Sequence, residues 1–104
     1  MKERITPDAA QALLARAGGQ RYVTLFKHGS LELEYYQPVK TDPQQPHTRD
    51  EVYFVISGRG TFVMQDQRLE FGPGEVIYAP ARVPHHFEQF SDDFATWAIF
   101  AQPG

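Results

Sequence analysis

Gln45-Pro46-His47-Thr48-Arg49-Asp50-Glu51-Val52-Tyr53-Phe54-Val55-Ile56-Ser57-Gly58 is the stretch on which the fold turns. Its first half is polar and sets an imidazole and a carboxylate four residues apart. Its second half reads as a strand, with Glu51, Tyr53, Val55 and Ser57 on one face and Val52, Phe54 and Ile56 on the other. A carboxylate on an apolar strand face is costly to bury unless it is paired or bound to a cation. A second block runs from Gly74 to Pro80 and on to His85, whose strand face also carries Phe87 and Gln89. Two imidazoles and one carboxylate on one side of a metal ion form the facial triad of non-haem iron and related divalent sites, which leaves up to three coordination positions open. His47, Glu51 and His85 are therefore the candidate metal ligands.

Outward from these blocks the chain keeps a period of two. Tyr22 to Lys27 and Leu31 to Tyr36 flank His28-Gly29-Ser30 as a hairpin, with Leu31, Leu33 and Tyr35 on one face and Glu32, Glu34 and Tyr36 on the other. A loop rich in proline and polar residues fills 37–50. Glu51 to Ser57 and Thr61 to Gln65 flank Gly58-Arg59-Gly60 as a second hairpin. Further strands are expected over 68–71, 75–79, 85–90 and 94–101, which makes about eight with turns every eight to twelve residues. That cadence predicts a sandwich or barrel. Before Gln20 the pattern differs. Thr6 caps, Pro7 suits the first helical position, Asp8 complements the helix dipole, and Gly18-Gly19 stops a short helix. The expected organisation is an N-terminal helical extension over 1–19 and a barrel over 20–104.

With 104 residues and no cysteine, the chain is long enough for a core of its own and offers neither disulfides nor thiolate ligands. A formal charge of −3 with scattered basic residues argues against nucleic-acid or anionic-membrane partners. No stretch approaches the ~18 apolar residues of a membrane span. Met1 to Asp8 lacks the apolar core of a secretory signal, so a cytoplasmic protein acting on small molecules or partner proteins is expected.

The two blocks resemble the two motifs of a small single-domain cupin, over roughly residues 20–102. In the first, Gln45-x-His47 is followed by three residues, Glu51, six residues and Gly58. In the second, Gly74 is followed by five residues, Pro80, then His85, then three residues and Gln89. The resemblance implies an all-β, antiparallel jelly-roll barrel behind a short N-terminal helix, and a homodimer formed through outer strands. It also implies one divalent ion, iron, manganese, nickel or zinc, on His47, Glu51 and His85. Three departures stand out. Gln45 replaces a histidine that is often the fourth ligand, and a neutral amide oxygen is a weak or water-mediated substitute. Arg82 stands where the family turn has glycine, which calls for φ > 0 from a non-glycine residue or for a different turn. Gln89 stands for asparagine.

Tyr35, Arg49, Tyr53, Phe87 and Trp97 are the expected pocket lining, and the residues Val52, Phe54 and Ile56 need an outer cover from the helix or from a second subunit. Three functions fit these features. The first is a metal-dependent enzyme acting on a small oxygen-bearing substrate, by dioxygenation, isomerisation or decarboxylation. The second is a non-catalytic module binding a metal or small ligand. The third is a metal-free barrel with both histidines hydrogen-bonded to Glu51.

Overall fold

A computed structural model of the chain describes residues 4–102; the remaining residues of the expected extension and barrel, 1–3 and 103–104, lie outside the described residues. Helix α1 spans Pro7–Ala15, with the Thr6 hydroxyl accepting from the Ala9 N–H at 3.2 Å. Eight strands follow: β1 Tyr22–His28, β2 Leu31–Tyr36, β3 Asp50–Ser57, β4 Gly60–Met64, β5 Gln67–Phe71, β6 Val76–Ala79, β7 His85–Glu88 and β8 Ala95–Ala101. They form two antiparallel sheets, one ordered β1-β2-β8-β3-β6 and the other β5-β4-β7. The chain-distant pairings β2 with β8, β3 with β8 and β4 with β7 give the jelly-roll topology.

Between the sheets lies an aromatic core. Phe87 is its hub, with ring centroids 4.8 Å from Tyr53, 4.8 Å from Phe94, 5.2 Å from Phe62 and 5.4 Å from Phe71. Such tilted and edge-on contacts suit the aromatic quadrupole. A second, smaller cluster sits on the outside of the larger sheet. There Ala10 and Leu14 of α1 cover Tyr35 and Ala95, with Val23, Leu25, Ile56 and Trp97 around them. The helix is too short to persist alone and is held by this apolar contact.

Cross-strand register decides what points inward. Glu32 and Glu51 flank Phe100, and Glu34 and Tyr53 flank Ala98, so the interior-facing row of β2 is Glu32, Glu34 and Tyr36. The tight turns have specific causes. Arg82 takes φ 66, the left-handed value its motif position calls for, and its N–H donates to the His47 carbonyl at 2.5 Å. Gly58 has φ +88, and a Cβ there would lie 2.5 Å from the Phe94 Cα. Gly58→Ala is therefore expected to cost about 3 kcal/mol, from left-handed strain plus overpacking. Gly74→Ala, at φ +83 with open space around it, should cost only about 1–2 kcal/mol. Urea unfolding of both variants checks the difference.

Candidate metal centre

His47 ends the proline-rich loop, Glu51 follows the first residue of β3, and His85 opens β7 in the facing sheet. The structure brings all three together, with one ligand atom of each within 4.8 Å of the others. Glu51 Oε1 lies 3.2 Å from His85 Nε2 and 3.4 Å from His47 Nε2. Two donors bound to one ion at about 2.1 Å stand about 3.0–3.4 Å apart for right-angle to tetrahedral geometry. Glu51 is only 2% exposed, and His85 is buried beside it.

Hydrogen-bond accounting tests the fit further. The Nδ1 of His85 faces the Val83 carbonyl at 2.9 Å, and a carbonyl can only accept, so Nδ1 carries a hydrogen. The lone-pair side, Nε2, then faces the carboxylate oxygen of Glu51 and, at 3.1 Å, the hydroxyl of Tyr53. A lone pair facing a carboxylate is repulsive unless a proton or a cation stands between them. Burial alone would lower the His85 pKa, but hydrogen bonding to Glu51 and to Val83 outweighs it and holds the imidazole above its ordinary value. Without an ion, the stabilisation from this proton is complete below about pH 6.5. It is lost as the pH rises through the elevated pKa of the folded chain. A divalent ion would take the place of the proton, and the donor set fits one.

Two more side chains close the cluster, and one is not the residue the motif singles out. Gln45 is exposed, whereas Gln44 turns inward. Gln44 Nε2 donates to Asp42 Oδ2 at 2.7 Å, which fixes the amide so that its Oε1 faces His47 Nε2 at 3.2 Å. The Tyr53 hydroxyl donates to that same oxygen at 3.0 Å. Burial and then the Glu51 charge push the Tyr53 pKa far up, so the phenol stays neutral. Asp42 is itself buried and also accepts from the Phe87 N–H at 2.8 Å and from the Tyr36 hydroxyl. Gln44 sits in an irregular loop where strand parity says nothing, so the only sequence signal for it was nearness to His47.

Beside this cluster opens a cavity of about 710 Å³ lined by Gly18 to Tyr22, Glu34, Tyr36, Gln44, His47, Arg49, Glu51, Ala98 and Phe100 among others. Of the five expected lining residues, Arg49 is there. Its Nη1 donates to Glu32 Oε1 at 2.8 Å and its guanidinium lies 4.6 Å from the Phe100 ring centre. Tyr53 reaches the cluster with its hydroxyl while its ring belongs to the core. The expectation for the other three is corrected. Phe87 is a core hub, and Tyr35 and Trp97 pack edge-on at 5.7 Å under the helix, on the opposite face of the sheet. Register puts the carboxylates of β2 inside instead. His86 faces outward to Glu88 at 2.8 Å, away from His85 as its parity requires.

Burial and the neighbouring charges of Glu32 and Glu51 raise the Glu34 carboxyl to about 7. Burial would also raise Glu32, but hydrogen bonding from Arg49, then Glu34 and Thr24, holds it below the usual range. β2 thus presents inward one ionised carboxyl and one that is about half protonated near neutral pH.

Comparison with known proteins bears on both fold and site. An uncharacterized protein of Streptomyces coelicolor is 41% identical over 63 residues, covering 61% of this chain and 60% of its own length. Acireductone dioxygenase of Exiguobacterium sibiricum is 37% identical over 54 residues, covering 47% of this chain and 30% of the dioxygenase. The chain thus spans less than two thirds of the length of these curated relatives. A solved cupin-2 domain containing protein from Shewanella frigidimarina superposes with a TM-score of 0.63 at 17% identity, covering 78% of this chain and 79% of that one. Among the described residues no helix is long and apolar enough to cross a membrane. The Cupin domain family profile matches residues 32–100, two antiparallel sheets carry the two motifs, and the chain belongs to the cupin family.

Proposed function

We propose that this chain is a cytoplasmic, divalent-metal-dependent enzyme acting on a small oxygen-bearing molecule, with His47, Glu51 and His85 as ligands. The observation that carries the reading is that these three side chains converge, with His47 and Glu51 lining an open cavity rather than a sealed core. A bound divalent ion supplies a Lewis acid that polarises a coordinated oxygen. The remaining work falls to the chain's own groups. Tyr53 keeps its proton and orients Gln44, Asp42 fixes the Gln44 amide, and Arg49 roofs the cavity with its charge already balanced by Glu32. Partial likeness to acireductone dioxygenases supports dioxygen chemistry among the three reaction types considered. The non-catalytic binding module is the second reading, and the small size of the barrel supports it.

Metal analysis of purified protein, followed by oxygen consumption with 1,3-dicarbonyl and catechol compounds, tests the choice. Turnover that disappears together with metal in Glu51→Ala is the expected result. One metal per chain with no turnover on any compound would favour the binding module. Within the site, Gln44→Ala is expected to weaken metal affinity by about tenfold, as loss of an orienting partner does, while Gln45→Ala changes nothing. Equal losses in a metal titration would count against the assignment of Gln44.

A homodimer belongs to the same proposal. Phe54, Val76 and Tyr78 stand 46%, 61% and 55% exposed on the outer face of β3 and β6, which the helix leaves bare. Sedimentation should give a dimer that Val76→Lys with Tyr78→Lys converts to monomer; a wild-type monomer at high micromolar concentration would remove this part.

A further inference from the structure

Glu34 is the one cavity-lining carboxyl that the proposed metal reading leaves without a task. It sits on β2, directly across Ala98 of β8 from Tyr53 on β3. Two strand spacings, about 10 Å, therefore separate the backbone of Glu34 from that of β3. Only the methyl group of Ala98 fills the floor between them. This gap is part of the cavity that His47 and Glu51 also line. Glu34 stands two residues along β2 from Glu32, on the same inward row, and the Glu32 carboxylate accepts from Arg49 at 2.8 Å and from the Thr24 hydroxyl at 3.2 Å. Two neighbouring carboxyls do not both ionise readily, and the one that holds the cation keeps the charge. Glu32 holds it, so Glu34 is the member of the pair that gains and loses a proton, on the side open to the cavity.

We propose that Glu34 is the proton-transfer residue of the cavity, carrying a proton to and from the carbon next to the carbonyl of a small enolisable substrate. The substrate class follows from the two walls. One is a cluster suited to an oxygen-binding cation, and the other is a carboxyl able to take a proton from carbon. In the step, the C–H bond next to the carbonyl breaks and its electron pair forms the C=C bond of the enolate. The carbonyl π pair moves onto oxygen, and the proton goes to a Glu34 carboxylate oxygen. The reverse step returns a proton exchanged with solvent, so no oxidant or reductant is consumed. The inference rests on the reading of the cavity as a substrate site, but not on dioxygen chemistry.

The charged and titratable groups facing Glu34 are few. Its own strand contributes Glu32 and Tyr36, and β3 with its lead-in contributes His47, Arg49 and Glu51. Arg21 just before β1 and Tyr22 at its start line the same cavity, and β8 contributes none. Burial and the two neighbouring carboxylates set the midpoint near 7, where both protonation states are populated and proton transfer in either direction is efficient.

The test uses carbon-13 NMR of labelled glutamate in the metal-free protein, and deuterium uptake by hydroxyacetone in heavy water with the zinc-loaded protein. One carboxyl should titrate near 7, vanish in Glu34→Gln and shift to lower pH in Glu32→Gln, where Arg49 is released to it. The wild type should lose stability to urea as the pH rises from about 4.5 toward 7, because the unfolded chain releases this proton first. Glu34→Gln should flatten that slope. Deuterium uptake should fall about a hundredfold in Glu34→Gln, with zinc affinity held within twofold, and Glu34→Asp should recover part of the rate. An ordinary carboxyl midpoint for Glu34 overturns the proposal, as does uptake no faster than in buffer or unchanged in Glu34→Gln. Failure of the wild type to bind zinc overturns the metal reading instead, and leaves the carbon-13 titration to judge Glu34.

Discussion

The buried carboxylate of Glu51 sets the terms for the rest of the barrel. An ionised carboxyl removed from water costs several kcal/mol unless opposite charge and hydrogen bonds meet it. Here His85 reaches it from the facing sheet and His47 from the loop, and Tyr53 and Gln44 complete a closed ring of polar contacts. Among the described residues no buried side-chain nitrogen or oxygen lacks a partner. The ring also pins register. β3 lies between β8 and β6, with Glu51 opposite Phe100 and Ala79. A one-residue slip of β3 would turn Glu51 to solvent and Val52 toward two imidazoles.

Asp42 does for the loop what Glu51 does for the sheets. A segment of about a dozen residues without regular structure has little to hold it, and three prolines remove backbone donors from it. Asp42 anchors the segment by accepting from a β7 backbone N–H, from Tyr36 of β2 and from Gln44. A carboxylate that accepts bonds from both sheets places the loop across the end of the barrel. His47 follows five residues later. The precision of His47 thus comes from a neighbour that is neither in the candidate triad nor part of either motif.

How far the sequence disclosed this depended on where alternation carries information. In β3 it does: Glu51 and Tyr53 point inward, and the side chains of His47, Glu51 and His85 converge as their spacing predicts. The eight strands, their turns and the capped helix were legible for the same reason, since each has local chemistry of its own. β2 shows the limit. Its two faces are Leu31-Leu33-Tyr35 and Glu32-Glu34-Tyr36, and an apolar-inside rule selects the wrong one. The rule fails because α1 covers part of the outer face of the sheet, so Tyr35 is buried and Trp97 half-buried without facing the barrel. Only pairing with β8 settles the matter, and that contact joins residues sixty or more positions apart. Gln44 and Asp42 were hidden for a different reason. In a loop neither periodicity nor motif spacing fixes direction, so counting from the family pattern pointed to Gln45.

The same topology determines which parts of the cavity can vary. Glu34, Tyr36, Glu51, Ala98 and Phe100 sit on strands bonded on both sides, so ladder hydrogen bonds hold their backbones. His47 and Gln44 are held by the polar ring. Gly18 to Tyr22 is the remaining wall, where the chain leaves α1 and enters β1. Gly18 and Gly19 adopt φ 68 and 89, and an added Cβ at either would meet nothing within 4 Å. Those glycines therefore answer to backbone direction and not to packing: they turn the chain from the outer face of the sheet to the mouth of the cavity. The apolar contact that seats α1 against Tyr35 thereby positions Arg21 and Tyr22 at the entrance. A cover for the outside of the barrel and a wall for its inside are built from one short segment.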